Sequence, residues 1–210
     1  MRLARHSSAR SLRLARIGFL TQDIPVQGER TVWDECATSF GDIQQLEIDM
    51  ESMTLEMGQR EDFESQGYMD LIDRFHKAQE HFQQIGGYTY QADMERVLMG
   101  LGFIADDFHK RLDTFSGGWQ MRVELAKILL QRNDLLLLDE PFSSLDVDLR
   151  ERLAQEVRVI LKASGTTALL VTHDQLEAFA VGDVIGVMNK GHLEQWGDAY
   201  TLYHRPASRF

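Results

Sequence analysis

Asp139 and Glu140 close an uninterrupted apolar run, Leu135-Leu136-Leu137-Leu138, and are followed at once by Pro141. A run of that kind reads as a strand buried on both faces of a parallel sheet. Its carboxyl end is where open α/β sheets bind ligands. Two adjacent acids there can divide labour. Asp139 can hold Mg²⁺, directly or through its water shell, because hard oxygen ligands suit that ion. Glu140 can accept a proton from a water that attacks a phosphate. Taken alone, the pair fits a simple cap on the next turn equally well.

Other short stretches bear on the same chemistry. Ser116-Gly117-Gly118 stands just before a helix predicted from Trp119 to about Gln131. Free N–H groups and the dipole at a helix start attract anions. Two glycines let that backbone approach a phosphate, and Ser116 adds a hydroxyl. In isolation the triplet reads as an ordinary N-cap. Thr172-His173-Asp174 ends another apolar run, so His173 reaches the same sheet edge as the two acids. Gln22, at the end of the run Ile17 to Leu20, could reach a water or a metal there, and Ser144-Leu145-Asp146 brings one more acid close by.

The elements that must position these residues are legible from periodicity. Ile43, Leu46, Met50, Met53 and Met57 recur at alternating spacings of three and four, a coiled-coil seam. After an interruption at Gly67, the residues Tyr68, Leu71, Ile72, Phe75 and Phe82 rebuild an apolar stripe, so an antiparallel helical hairpin is expected. Gly86-Gly87 ends it, and Ala92, Met94, Val97, Leu98 and Leu101 mark a third helix. Further on, strand (from Leu135), helix (Leu149, Leu153, Val157, Ile160, Leu161, stopping at Ser164-Gly165) and strand (Ala168 to Val171) form a parallel βαβ unit. A β-hairpin around Asn189-Lys190-Gly191 comes last.

In order along the chain, Gln22, SGGWQ (116–120), LLLLDEP (135–141), SSLD (143–146) and THD (172–174) resemble the Q-loop, signature, Walker B, D-loop and H-switch of ATP-binding-cassette (ABC) ATPases. The resemblance runs from residue 17 to the end. It implies ATP and Mg²⁺ as cofactors, with Asp139 on the metal, Glu140 as general base and His173 on the γ-phosphate. Gln22 would sense the metal and the attacking water. Ser116, Gly117, Gly118 and Gln120 would close over ATP held by a second ABC ATPase domain, identical or different, and Asp146 would signal across that dimer. The implied fold is α/β, a P-loop NTPase-like parallel sheet with an inserted helical hairpin and a helical signature subdomain.

The chain departs from the family in two ways. No G-x-x-x-x-G-K-[ST] occurs in the sequence, and that loop's backbone and lysine normally cradle the phosphates. The core is therefore expected to be N-terminally truncated, marginally stable and inactive by itself. In addition, residues 17–141 resemble the ABC-F class, soluble tandem cassettes that act on ribosomes, through RIGFLTQD, the acidic hairpin and FSGGWQMRVELAKILLQRNDLLLLDEP. Residues 142–210 resemble the ATPase subunits of ferric-iron or polyamine importers, through THDQLEAFAVGDVIGVMNKGHLEQWG and YTLYHRPASRF. The two meet at LLLLDEP, as homologous recombination or misassembled reads would leave them. A non-catalytic module completing another cassette's site, or a chimeric fragment without function, is the alternative reading.

Composition narrows the setting. The formal net charge of -11 argues against a phosphate-backbone binder, so no direct DNA binding is expected. The single Cys36 cannot form an internal disulfide and points to a reducing, cytoplasmic compartment; the importer resemblance implies peripheral attachment at the inner membrane through a permease. A ribosome is the other partner the resemblance suggests. The first sixteen residues hold five arginines, three serines and no acid. They read as a basic, disordered leader (1–16), followed by the Q-loop strand and connection (17–40), the helical insert and signature subdomain (41–132) and the Walker B, D-loop and H-switch core (133–210).

Overall fold

The computed structural model describes residues 16–20, 29–131, 133–143, 145 and 147–208. Gln22, Ser144, Asp146 and nearly all of the basic leader lie outside the described residues.

Two sheets of different kinds are present. The parallel sheet has the order β1-β2-β3, with β1 at Ile17–Leu20, β2 at Leu135–Asp139 and β3 at Thr167–Val171. Its register aligns Leu20 with Leu138 and Leu138 with Leu170. One face therefore carries Gly18 and Leu20, Leu136 and Leu138, and Ala168 and Leu170. That face joins the main core with Leu125 and Ile128 of α5 (Gly117–Leu130) and Leu153, Ala154 and Val157 of α6 (Val147–Ser164). Gly18 is needed here, because a Cβ would sit 2.7 Å from a Leu136 methyl carbon.

The opposite face differs from the expectation of two-sided burial. Ile17, Phe19, Leu169 and Val171 are exposed on it, and Leu135 and Leu137 are only half-buried. The run of four leucines thus alternates in burial, because among the described residues helices pack on one side only. A parallel sheet is ordinarily covered on both, whereas among the described residues this face is apolar and exposed.

The helical part follows its stripes closely. Helices α2 (Gly41–Gln59) and α3 (Gln66–Gln84) pack against each other as the hairpin. All the seam positions on α2 and stripe positions on α3 are buried or half-buried, while Ile48 and Leu55 between them are exposed. The break lies at residues 60–65, and Gly67 falls in the first turn of α3 instead of interrupting it. Capping chemistry explains the shift. Ser65 accepts a hydrogen bond from the Tyr68 N–H at 3.1 Å and donates to Asp62, which the Arg60 guanidinium also grips. Ser65→Ala should therefore lower stability by about 1 kcal/mol, read as a shift of the urea unfolding midpoint at constant slope.

Helices α1 (Val32–Ala37) and α4 (Tyr90–Gly100) pack on α5. Cys36 is fully buried in that core, and burial pushes its thiol up to about 12 although Lys127 pulls the other way. Since the thiolate is the reactive form, Cys36 should resist a thiol reagent such as Ellman's at pH 8 and react completely in denaturant. Beyond α6, the short helix α7 (Gln175–Val181) follows β3. An antiparallel hairpin of β4 (Ile185–Asn189) and β5 (His192–Gly197) comes next, and then α8 (Ala199–His204). The hairpin turns through Lys190 and Gly191, both with positive φ, the combination that primed two-residue turns require.

Candidate functional site

The parallel register decides which side chains meet. Asp139 is the last residue of β2 and pairs with Val171, the last of β3. The next residue of each strand continues past the sheet edge, and the Glu140 N–H donates to the Val171 carbonyl at 2.8 Å. At that point β2 stops abruptly. Glu140 has φ of +46°, a left-handed conformation that costs a non-glycine residue on the order of 1–3 kcal/mol and is stored only where the surroundings dictate it. They do so from both sides. The Ser143 N–H and hydroxyl both donate to the Glu140 carbonyl, at 3.2 and 3.0 Å, and Phe142 is fully buried in the core below.

This turn sets Glu140 against His173, with Glu140 Oε1 2.9 Å from His173 Nδ1. The Glu140 carboxylate, through that hydrogen bond and its charge, raises the His173 pKa above its ordinary 6.5. The sign follows directly: the pairing contributes in full below the ordinary value and is lost as pH rises through the raised one. His173 remains 72% exposed, so the contact serves local geometry more than global stability.

Asp139 projects from the open face of the sheet, and its carboxylate has no hydrogen-bond or ion-pair partner among the described residues. Among those residues no group of three or more His, Cys, Asp or Glu could form a protein-only metal cage. An uncommitted carboxylate without such a cage fits Mg²⁺, which is commonly held by one or two carboxylates together with substrate phosphates.

Behind His173 stands a network that the sequence reading missed. Asp174 caps α7 through Oδ1, accepting from the Leu176 and Glu177 N–H groups, and its Oδ2 accepts from Arg150 Nη1 at 2.9 Å. Burial works against the Asp174 carboxylate, but the Arg150 bond and these N–H groups outweigh it and hold its pKa below the usual value. The buried Glu177 accepts from the Thr172 hydroxyl and pairs with Arg150 Nε at 3.4 Å. The available signal was Asp174 placed just before a helix-forming run with Glu177 three residues on, a capping pattern. Nothing local to Arg150 marks its carboxylate partners, which lie more than twenty residues away.

Ser116 and the two glycines form the start of α5, as expected, with the helix opening at Gly117 and not at Trp119. The Ser116 side chain makes no capping bond, and a Cβ on Gly117 would meet nothing within 4 Å, so this helix start is open. Gln120 donates its amide to the Leu112 and Phe115 carbonyls at 3.2 and 2.9 Å, which fixes the loop before Ser116. Trp119 packs on Phe103 and Phe115, with the Arg122 guanidinium over its ring. No hydrogen bond or ion pair joins residues 116–118 to Asp139, Glu140 or His173. The structure brings Asp139, Glu140 and His173 together and leaves the glycine pair as a separate open surface. Gln22 and Asp146 lie outside the described residues. A cleft of about 1210 Å³ between α2–α4 and α6 lies by Asn133, Asp134 and Thr166, at the amino ends of β2 and β3 and away from all of these groups.

Comparison with known proteins places this geometry. A family model described as ABC transporter matches residues 3–143. The Fe(3+) ions import ATP-binding protein FbpC of Escherichia coli O157:H7 is 50% identical over 118 residues, 55% of this chain and 34% of that protein. The spermidine/putrescine import ATP-binding protein PotA of Aster yellows witches'-broom phytoplasma (strain AYWB) is 45% identical over 101 residues, 48% of this chain and 24% of that protein. The chain thus spans about a third or less of the length of these relatives. Among solved structures, the complex of archaeal ribosomal stalk protein aP1 and ribosome recycling factor aABCE1 aligns with TM-score 0.51 at 21% identity, covering 88% of this chain and 27% of that one, a likeness of fold. With the family model covering well over half its residues, the chain belongs to the ABC transporter family.

Proposed function

We propose that this chain is an ABC-type ATPase domain of the import class whose residues supply the hydrolytic edge and a signature surface, and which needs a phosphate-binding loop from elsewhere to work on ATP. The observation carrying this is the Glu140–His173 contact of 2.9 Å at the edge where Asp139 stands uncommitted. Glu140 accepts the proton of a water whose oxygen attacks the terminal phosphorus of ATP as its bond to the β–γ bridging oxygen breaks and ADP leaves, and His173 holds the carboxylate in place. Mg²⁺, when bound at Asp139, neutralises phosphate charge. Ser116, Gly117 and Gly118 offer a hydroxyl and open N–H groups to the phosphates of a nucleotide held by a second cassette, and Gln120 keeps their loop in shape. Gln22 and Asp146 take the metal-sensing and dimer-signalling roles of their motifs.

The import reading rests on relatives 45–50% identical over roughly half of this chain, whose names describe iron and polyamine import. It implies a cytoplasmic chain attached to a membrane through a permease. Among the described residues no helix is long and apolar enough to cross a membrane. The sequence contains no G-x-x-x-x-G-K-[ST], and the open apolar face beside Asp139 supports a missing cover. Co-purification with an intact cassette that depends on ATP, and its loss on Ser116→Arg, would support the proposal; association indifferent to both would defeat it. A second reading, ribosome-associated work of the ABC-F kind, is favoured by the acidic α2–α3 hairpin. Its test is sedimentation, and absence from every ribosomal fraction removes it.

A further inference from the structure

We propose that Arg150 is a positioning residue that locks the His173 turn to the segment running from Glu140 into α6, so that Glu140 and His173 keep their contact only while Arg150 bridges them. The inference rests on the reading of Glu140 and His173 as the hydrolytic pair.

Two backbone segments, the one leaving Glu140 and the start of α7, converge on one guanidinium. Nη2 donates to the Leu145 carbonyl at 3.0 Å, on the segment that leaves Glu140. Nη1 donates to Asp174 Oδ2 at 2.9 Å, and Nε faces Glu177 Oε1 at 3.4 Å. These two acids hold the residues on either side of His173. Asp174 is its neighbour and caps α7, and Glu177 accepts from the hydroxyl of Thr172, which itself accepts from the Asp174 N–H at 3.0 Å. The His173 backbone is therefore clamped before and after, while its ring projects freely except for Glu140. The two Nη donors of a planar fork can hydrogen-bond acceptors on both segments at once while Nε stays within ion-pair distance of Glu177 without a hydrogen bond, whereas an ammonium on a flexible stem cannot hold that geometry. The clamp is also only lightly exposed to solvent: the Arg150 side chain is 21% exposed and that of Glu177 4%, so water does not readily replace it.

Charge and position make opposite forecasts, which allows a decisive test. The groups facing His173 are Glu140 at the end of β2, Glu177 on α7, its neighbour Asp174 and Arg150 on α6. Arg150, as a cation, by itself lowers the His173 pKa, and the carboxylates raise it. If Arg150 were only a nearby charge, its neutralisation would move the titration of His173 upward. If it positions the turn, neutralisation releases His173 from Glu140 and moves the titration downward.

The experiment follows the His173 Cε1–H resonance against pH by NMR in the full chain, assigned with His173→Gln. The unaltered chain should titrate above the ordinary value, and Glu140→Gln should remove that rise. Arg150→Gln should titrate close to Glu140→Gln, and Arg150→Lys, which keeps the charge but lacks the fork that reaches both the Leu145 carbonyl and Asp174, should fall between. A His173 titration in Arg150→Gln at or above that of the unaltered chain overturns the proposal. So does Arg150→Lys matching the unaltered chain, a result that also serves if Arg150→Gln does not fold. A His173 that titrates at the ordinary value in the unaltered chain, unmoved by Glu140→Gln, would instead remove the underlying pairing.

Discussion

Glu140→Gln is expected to cut ATP hydrolysis about 100- to 10,000-fold in an assembly of this chain with an intact cassette, the range set by loss of a general base, while leaving nucleotide-dependent association in place. Glutamine preserves the shape and can keep the N–H···O contact with His173, so the turn at φ +46° and its two Ser143 bonds survive. What is lost is the ability to take a proton from water. Steady-state phosphate release measures the first effect and co-purification the second. Equal loss of both would mean that Glu140 shapes the interface and does not act as a base. The pH dependence gives a further handle: activity should weaken as pH rises through the raised His173 value, where the contact with Glu140 is lost.

Phe142→Ala should be among the most damaging core substitutions, costing about 3–5 kcal/mol. Phe142 is fully buried and stands two residues past Glu140, so it anchors the turn that forces the left-handed backbone there. Its removal leaves a cavity below a strained residue. Typical domains have only about 5–15 kcal/mol in hand, and this one leaves apolar residues exposed on one sheet face. Urea unfolding should show the loss as a lower midpoint. Even in conditions where the variant stays folded, the His173 titration should drop toward its ordinary value, because a relaxed Glu140 no longer reaches it. A loss of less than about 1 kcal/mol, well below the range for a buried Phe, would mean that Phe142 does not anchor the turn.

Where one segment determines its own structure, the sequence showed it. The seam from Ile43 to Met57, the stripe from Tyr68 to Phe82 and the turn at Lys190-Gly191 all formed where periodicity and turn chemistry put them. Glu140 and His173 meet because both end adjacent parallel strands, which their apolar runs already implied. The hairpin break moved from Gly67 to residues 60–65 because Ser65 and its Asp62–Arg60 partners cap α3 more strongly than one glycine breaks it. The short helices α1, α7 and α8 were missed; six or seven residues give too few turns to show a period. Two-sided burial of Leu135 to Leu138 was a sound inference from an apolar run, but burial depends on what packs above the sheet, which the run itself does not encode. Arg150 was hidden for a similar reason: its role is set by the carboxylates that the fold brings from the start of α7.

As proposed, this chain carries the hydrolytic edge of an ABC site and takes its phosphate-binding loop from elsewhere. Isothermal titration of the isolated chain with Mg-ATP tests it most directly. No saturable binding is expected up to millimolar nucleotide, and one-to-one saturable binding by the chain alone would overturn the proposal.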